Sequence, residues 1–219
     1  MTPGSAAVRP PAPVIDYWLS VASPWAWLGS ARFIALARQH GAAVEVLPIE
    51  LGRVFSATGG KPFLERPEAR RSYRQLELER WSRHLGVPIR LEPRFYPVDR
   101  QPASRLLIAA RIAGADALAL SHAVLRAIWV EDRDIADVNV LAAIATQAGL
   151  AGAALVDQSR RPEIGEVYAS DTERAIAEQV FGAPTYVIHG ERFWGQDRLD
   201  LVAARLDGRC VQKGGRIPT

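Results

Sequence analysis

The feature that most limits how this sequence can fold is the placement of its strand patterns. Both lie at the ends of the chain, and only helical pattern lies between them. "VIDYWLS" from Val14 reads as a strand. A helix follows over Pro24 to His40, with Trp27, Ala31 and Ile34 spaced as one helical stripe, and then "AVEVLPIE" alternates at Val44 and Val46 as a second strand. At the far end "PTYVIHG" and "ERFWG" are two short strands turning at His189 and Gly190, closed by a helix over "QDRLDLVAARL". From about Leu64 to Val180 every periodic segment is helical, including "RPEARRSYRQLELERWSRHL", "PASRLLIAARIAG", "DALALSHAVLRAIWV", "DVNVLAAIATQAG" and "DTERAIAEQV".

A β-α-β opening and a β-β-α ending outline one α/β sheet of thioredoxin-like type, mixed in strand direction, with a large all-helical insertion. On this reading residues 13–63 and 181–207 form the thioredoxin-like domain and residues 64–180 the inserted helical domain. Residues 1–12 and 208–219 read as flexible termini. The chain has 219 residues, 48% of them hydrophobic, which is enough to bury a core across both parts. No apolar run is long enough for a membrane span, and "MTPGSAAVRPPAPV" has no secretory h-region, so the expectation is a soluble cytoplasmic protein.

Charge and ligand residues exclude several classes. The formal net charge is +3 and no basic stripe stands out, which argues against a nucleic-acid partner. Nearly all the cations are arginines interleaved with acids, as in "RRSYRQLELERWSRH", and read as a solvated helix face. Cys210 is the only cysteine, so neither a disulfide framework nor a Cys-x-x-Cys redox pair exists. His40, His84, His122 and His189 are far apart and match no metal-binding spacing, so no metal is expected. There is no Gly-x-Ser-x-Gly elbow, Walker loop or dinucleotide-binding glycine pattern.

The stretch "YWLSVASPWAWLG" carries the chemistry. Ser23 stands where a helix N-cap belongs, and Pro24 takes the first helical position, where its missing N–H costs nothing. A simple cap is one reading. The other follows from its place on the tip of the first strand, where the free amides and dipole of a helix start favour a thiolate or carboxylate. "GAPT" at 182–185 puts a proline at the start of a strand after a long helix, a position open to a cis peptide or to an ordinary trans loop.

"SPWAWLG", "GAPTYVI" and "FWGQDRL", in this order around a helical segment containing "AIWVEDRDIAD" and "VLAAIATQAGL", resemble the 2-hydroxychromene-2-carboxylate isomerases. These group with the kappa-class glutathione transferases in the DsbA-like branch of the thioredoxin fold. The resemblance spans about residues 14–206. It implies that Ser23 is catalytic and meets the sulfur of glutathione. Pro184 would be a cis-proline, and Ala183 would offer backbone hydrogen bonds to the cysteinyl part. Trp194, Gly195, Gln196 and Asp197 would receive the γ-glutamyl end, with Asp197 on its ammonium. "VFSATGGKPF" resembles a family loop, implying that Lys61 contacts the glycyl carboxylate, although Ser56 and Gly60 depart from the family pattern. Tyr96 falls near a substrate-contacting position and also fits a core tyrosine.

The resemblance further implies glutathione as cofactor, a small aromatic substrate and a homodimer. Lowering the thiol pKa by about 2 units at the helix start would be worth roughly 2.7 kcal/mol and would supply thiolate at neutral pH. Reversible addition of that thiolate would convert a double bond into a rotatable single bond and release glutathione unchanged. A kappa-type transferase, which keeps glutathione in its product, and a non-catalytic glutathione-binding protein remain open at this point.

Overall fold

A computed structural model describes residues 12–209. Both termini read as flexible, with Cys210, therefore lie wholly or almost wholly outside the described residues. The four strands are β1 (Val14–Leu19), β2 (Ala43–Pro48), β3 (Thr185–Ile188) and β4 (Glu191–Trp194), in the order β2-β1-β3-β4. β1 runs parallel to β2, with Tyr17 opposite Val46. It runs antiparallel to β3, with Trp18 opposite Thr185, and β3 runs antiparallel to β4. The mixed sheet is thus closed by pairing the first strand of the chain with a strand from its far end.

Alternation along β1 feeds two cores. Ile15, Tyr17 and Leu19 join Phe33, Tyr186 and Val202 on one face, while Trp18 joins Leu47, Val54, Ala175 and Val187 on the other. The first cluster continues into the inserted helices through Leu106, Leu125, Trp129 and Ile144, so sheet and insertion share buried contacts. His189 and Gly190 turn β3 into β4 with φ of 50° and 80°, the left-handed pair that a two-residue hairpin of matching twist requires.

The helices are α1 (Pro24–Gln39), α2 (Leu51–Thr58), α3 (Glu68–Leu85), α4 (Gln101–Ile112), α5 (Ala117–Trp129), α6 (Val138–Gln147), α7 (Gly152–Ser159), α8 (Pro162–Ala177) and α9 (Leu199–Leu206). Aspartates cap α5 and α6, where Asp116 accepts from the Ala119 N–H at 2.8 Å and Asp137 from the Asn139 N–H at 2.7 Å.

Some details differ from the sequence reading. α1 buries Ala26, Ser30, Phe33 and Ala37, while Ala31 is exposed and Ile34 half-buried, because the helix packs on both the sheet and α5 and its contact face is rotated. The segment around Phe55 and Ser56, read as loop, is helix α2, held by Val54 in the second core. The pattern at "DTERAIAEQV" is the second half of α8, which starts at Pro162, and α7 precedes it as a short helix whose Leu155 and Val156 are buried.

Candidate functional site

After β1 the chain turns through Ser20, whose carbonyl accepts from the Ser23 N–H at 2.9 Å, and α1 begins. The Ser23 carbonyl takes the first helical bond, from the Trp27 N–H at 3.0 Å. Its hydroxyl accepts from the Ala26 N–H at 3.2 Å and donates to the carbonyl oxygen of Ala183 at 3.3 Å. Ser23 is therefore a true N-cap, yet it also lines a cavity beside the start of α1.

The opposite wall is the segment before β3. Ala183–Pro184 is a cis peptide, and Thr185 Oγ1 ties the turn by donating to the Gly182 carbonyl at 2.7 Å. Gly182 has no room for a side chain, since a Cβ there would lie 2.5 Å from Trp194 Nε1. Trp194 is half-exposed and packs edge-on against Phe181, with ring centres 4.8 Å apart, forming an aromatic rim. The Gly195 N–H donates to the Pro184 carbonyl at 2.9 Å with φ of 105°, a conformation that favours glycine.

The cavity between these walls holds about 220 Å³. Trp25, Phe55, Phe63 and Tyr96 give it apolar surface; Arg66, Arg74 and Arg100 line it as well, and no acidic side chain does. None of the ion pairs among the described residues involves these three arginines. Arg66 Nε donates to the Lys61 carbonyl at 2.9 Å. Arg74 stands over the Phe63 ring at 4.4 Å, and burial, with the Arg66 charge, pushes its guanidinium below the usual range. Arg100 Nε is buried with no hydrogen-bond partner. A second cavity of about 450 Å³ adjoins the first, sharing Pro62, Phe63, Arg74, Tyr96 and Arg100 as a common wall.

The structure brings Ser23, Ala183, Trp194 and Tyr96 together around the first cavity. Pro184 is buried just behind Ala183. Gly195, Gln196 and Asp197 follow Trp194 outside the lining. The Gln196 side chain is buried and bonded by Arg32, and Asp197 is exposed and paired with Arg198 at 3.1 Å. Lys61 is exposed and also outside the lining; its carbonyl accepts from Arg66, whose guanidinium does line the cavity. The three lining arginines were not singled out from the sequence. On α3, Arg71, Arg80 and Arg83 do pair with Glu68, Glu77 and Glu79 on the exposed side, but Arg74, from the same stretch, turns inward. Arg66 and Arg100 stand just before α3 and α4 with no acid three or four residues from either, which was the one signal available.

A cis-proline loop facing a helix N-terminus across a mixed sheet defines a DsbA-like thioredoxin-domain protein, and the family model described as a DSBA-like thioredoxin domain matches residues 14–207. The chain is 30% identical over 194 residues to 2-hydroxychromene-2-carboxylate isomerase of Sphingobium xenophagum, an alignment covering 88% of this chain and 97% of that protein. The solved structure of SeMet 2-hydroxychromene-2-carboxylate isomerase superposes with a TM-score of 0.70 at 25% identity, covering 89% of this chain and 95% of that one. Glutathione S-transferase kappa 1 of Caenorhabditis elegans is 24% identical over 214 residues, or 90% of this chain and 92% of that protein. This chain belongs to the 2-hydroxychromene-2-carboxylate isomerase family and is an enzyme of the isomerase class.

Proposed function

We propose that this enzyme is a glutathione-dependent cis-trans isomerase that interconverts 2-hydroxychromene-2-carboxylate and trans-o-hydroxybenzylidenepyruvate, or a related intermediate of aromatic degradation. The observation that carries the reading is the Ser23 hydroxyl, set at the N-terminus of α1 and lining the cavity opposite the Ala183–Pro184 segment. The names of the relatives supply the substrate and the cofactor: an isomerase acting on that chromene, and a glutathione transferase.

The residues present fit glutathione at two of its ends. Its glycyl carboxylate finds Arg66, a guanidinium with no ion pair in a cavity with no acid, and its thiol finds a hydroxyl and helix amides at the Ser23 end. Arg66 would hold the glycyl carboxylate, Ala183 the cysteinyl backbone, and Asp197, three residues beyond Trp194, the ammonium. When bound, glutathione supplies a thiolate that adds reversibly to an electron-poor double bond. Ser23 presents a hydroxyl donor to negative charge on sulfur, together with the positive end of α1. Trp25, Phe63 and Tyr96 exclude water from that charge and stack on a flat substrate.

The test is isomerisation of the benzylidenepyruvate with glutathione present, omitted and restored, with glutathione assayed before and after. Activity that needs glutathione but leaves its concentration unchanged over many turnovers supports the proposal. Consumption of one glutathione per substrate would replace it with transferase chemistry, and undiminished activity without glutathione would end the cofactor assignment.

A further inference from the structure

Two cavities meet at a waist, and the waist is charged. Arg74 and Arg100 line both chambers, whereas Arg66 lines only the one that contains Ser23. Neither waist arginine has an acidic partner among the ion pairs of the described residues, and Arg74 already spends its flat face on Phe63. Arg100 also borders a third cavity beside Glu50 and Asp99, so it is above all Arg74, half-buried without a counter-charge, whose cost a bound anion relieves. The second chamber beyond the waist is lined by Leu91, Pro93, Pro97 and Trp129, with Glu65 and Glu92 also on its wall. Tyr96, at the waist, packs on Trp129 with ring centres 5.1 Å apart. Those exposed acids disfavour a second negative group in this chamber, and the aromatic and proline surfaces accept an uncharged ring.

We propose that Arg74 and Arg100 are the specificity-determining pair for the second substrate. They hold its carboxylate at the waist, so that its ring lies in the chamber of Leu91, Tyr96 and Trp129 and the bonds next to the carboxylate face the Ser23 chamber. The proposal rests on the reading of this site as that of an isomerase of small aromatic acids. It selects planar aromatic acids over their neutral analogues, and it assigns the selection to two side chains outside the glutathione contacts given above.

The probe is trans-cinnamate, a ring conjugated to a carboxylate, compared with neutral cinnamamide by calorimetry on the full chain without glutathione. Cinnamate is expected to bind about tenfold or more tightly than cinnamamide. Raising salt from about 50 mM to about 500 mM should shrink that preference. Arg74→Gln and Arg100→Gln should each cut the preference at least about threefold, while Arg80→Gln, on the exposed side of the same helix, leaves it unchanged. Arg74→Lys and Arg100→Lys keep the charge and should retain part of it, which answers for a Gln variant that fails to fold. Equal affinity for the two probes in the parent, or a preference that persists when both arginines are Gln in a folded protein, overturns the proposal. A glutathione titration of the same parent separates the two readings: a cinnamate preference without glutathione binding removes the cofactor assignment and leaves the arginine pair standing.

Discussion

Ser23 Oγ donates to the carbonyl oxygen of Ala183 across 3.3 Å, joining the start of α1 to the residue before Pro184 although 160 positions separate them in sequence. The bond is long for a hydroxyl donor, so its hydrogen can be redirected toward a ligand at small cost. The same oxygen caps the helix by accepting from Ala26 at 3.2 Å. One hydroxyl thus caps α1 through its oxygen and bridges to the segment before Pro184 through its hydrogen.

Replacement of Ser23 by Ala removes both. Loss of the cap should lower stability by about 1 kcal/mol, read from the denaturation midpoint. Loss of the donor should raise the pKa of bound glutathione, followed by thiolate absorbance, and slow isomerisation about tenfold or more. An unchanged rate and unchanged thiolate absorbance would leave Ser23 a cap only.

Family resemblance implied a glycyl-carboxylate contact for Lys61, whereas Arg66 is the cation that lines the cavity. Lys61→Ala should alter glutathione affinity by less than about twofold, because the side chain is exposed outside the cavity. Arg66→Ala should weaken it about tenfold, in line with loss of a charged hydrogen bond. Calorimetric titration of the two variants decides between them, and the reverse order would restore Lys61.

Gly29→Ala tests the packing beneath the loop that follows Trp194. A Cβ on Gly29 would stand 2.7 Å from the Gln196 Cβ, near the backbone of a buried residue that cannot swing aside. Overpacking of this kind costs roughly 1–3 kcal/mol. The expected result is a lower thermal midpoint together with weaker glutathione binding, since the loop from Gly195 to Asp197 must move. A variant as stable as the parent would show that the two elements slide apart freely.

The histidine on α5 sets a pH dependence. Ser30 donates its hydroxyl hydrogen to the Trp27 carbonyl at 2.9 Å, so its oxygen receives the Nδ1 hydrogen of His122 at 2.8 Å. Burial first, and the Arg126 charge second, push the His122 pKa below its ordinary 6.5. As pH falls through 6.5 the unfolded chain takes up this proton before the folded chain does, so stability drops from there down to the folded pKa. Above that window the group contributes no slope. Urea midpoints at about pH 7.5 and about pH 5.5 should fall further for the parent than for His122→Gln, and equal falls would dismiss the effect.

Strand positions and the start of α1 were legible because each has a local cause. Alternation marked β1 and β2, the His189 and Gly190 pair marked the hairpin, and Ser23 followed by Pro24 marked a helix start. α2 was not legible, because its Val54 is the one buried residue of eight and gives no period to read. The inward arginines were hidden for a related reason. A helix such as α3, with Leu78 alone fully buried, reads as solvated all round, and only the approach of Phe63 and Tyr96 from elsewhere in the chain gives Arg74 an inner side. The aromatic rim at Phe181 and Trp194 likewise depends on a contact between segments, which no single window contains.

The pairing of β1 with β3 has a consequence for how the molecule comes into being. Every backbone bond that joins the first half of the sheet to the second spans the whole inserted segment, so this seam carries the highest contact order in the fold and the largest loop-closure cost. On a ribosome, β1, α1 and β2 emerge long before Thr185 does, and wait beside helices that can assemble locally. The wall facing Ser23 does not exist until about the last sixth of the chain docks. Appearance of the site therefore reports completion of folding, and a ligand that bridges Ser23 and Ala183 would act as a clasp on the slowest-closing seam, stabilising the native state by an amount that grows with the logarithm of its concentration above Kd.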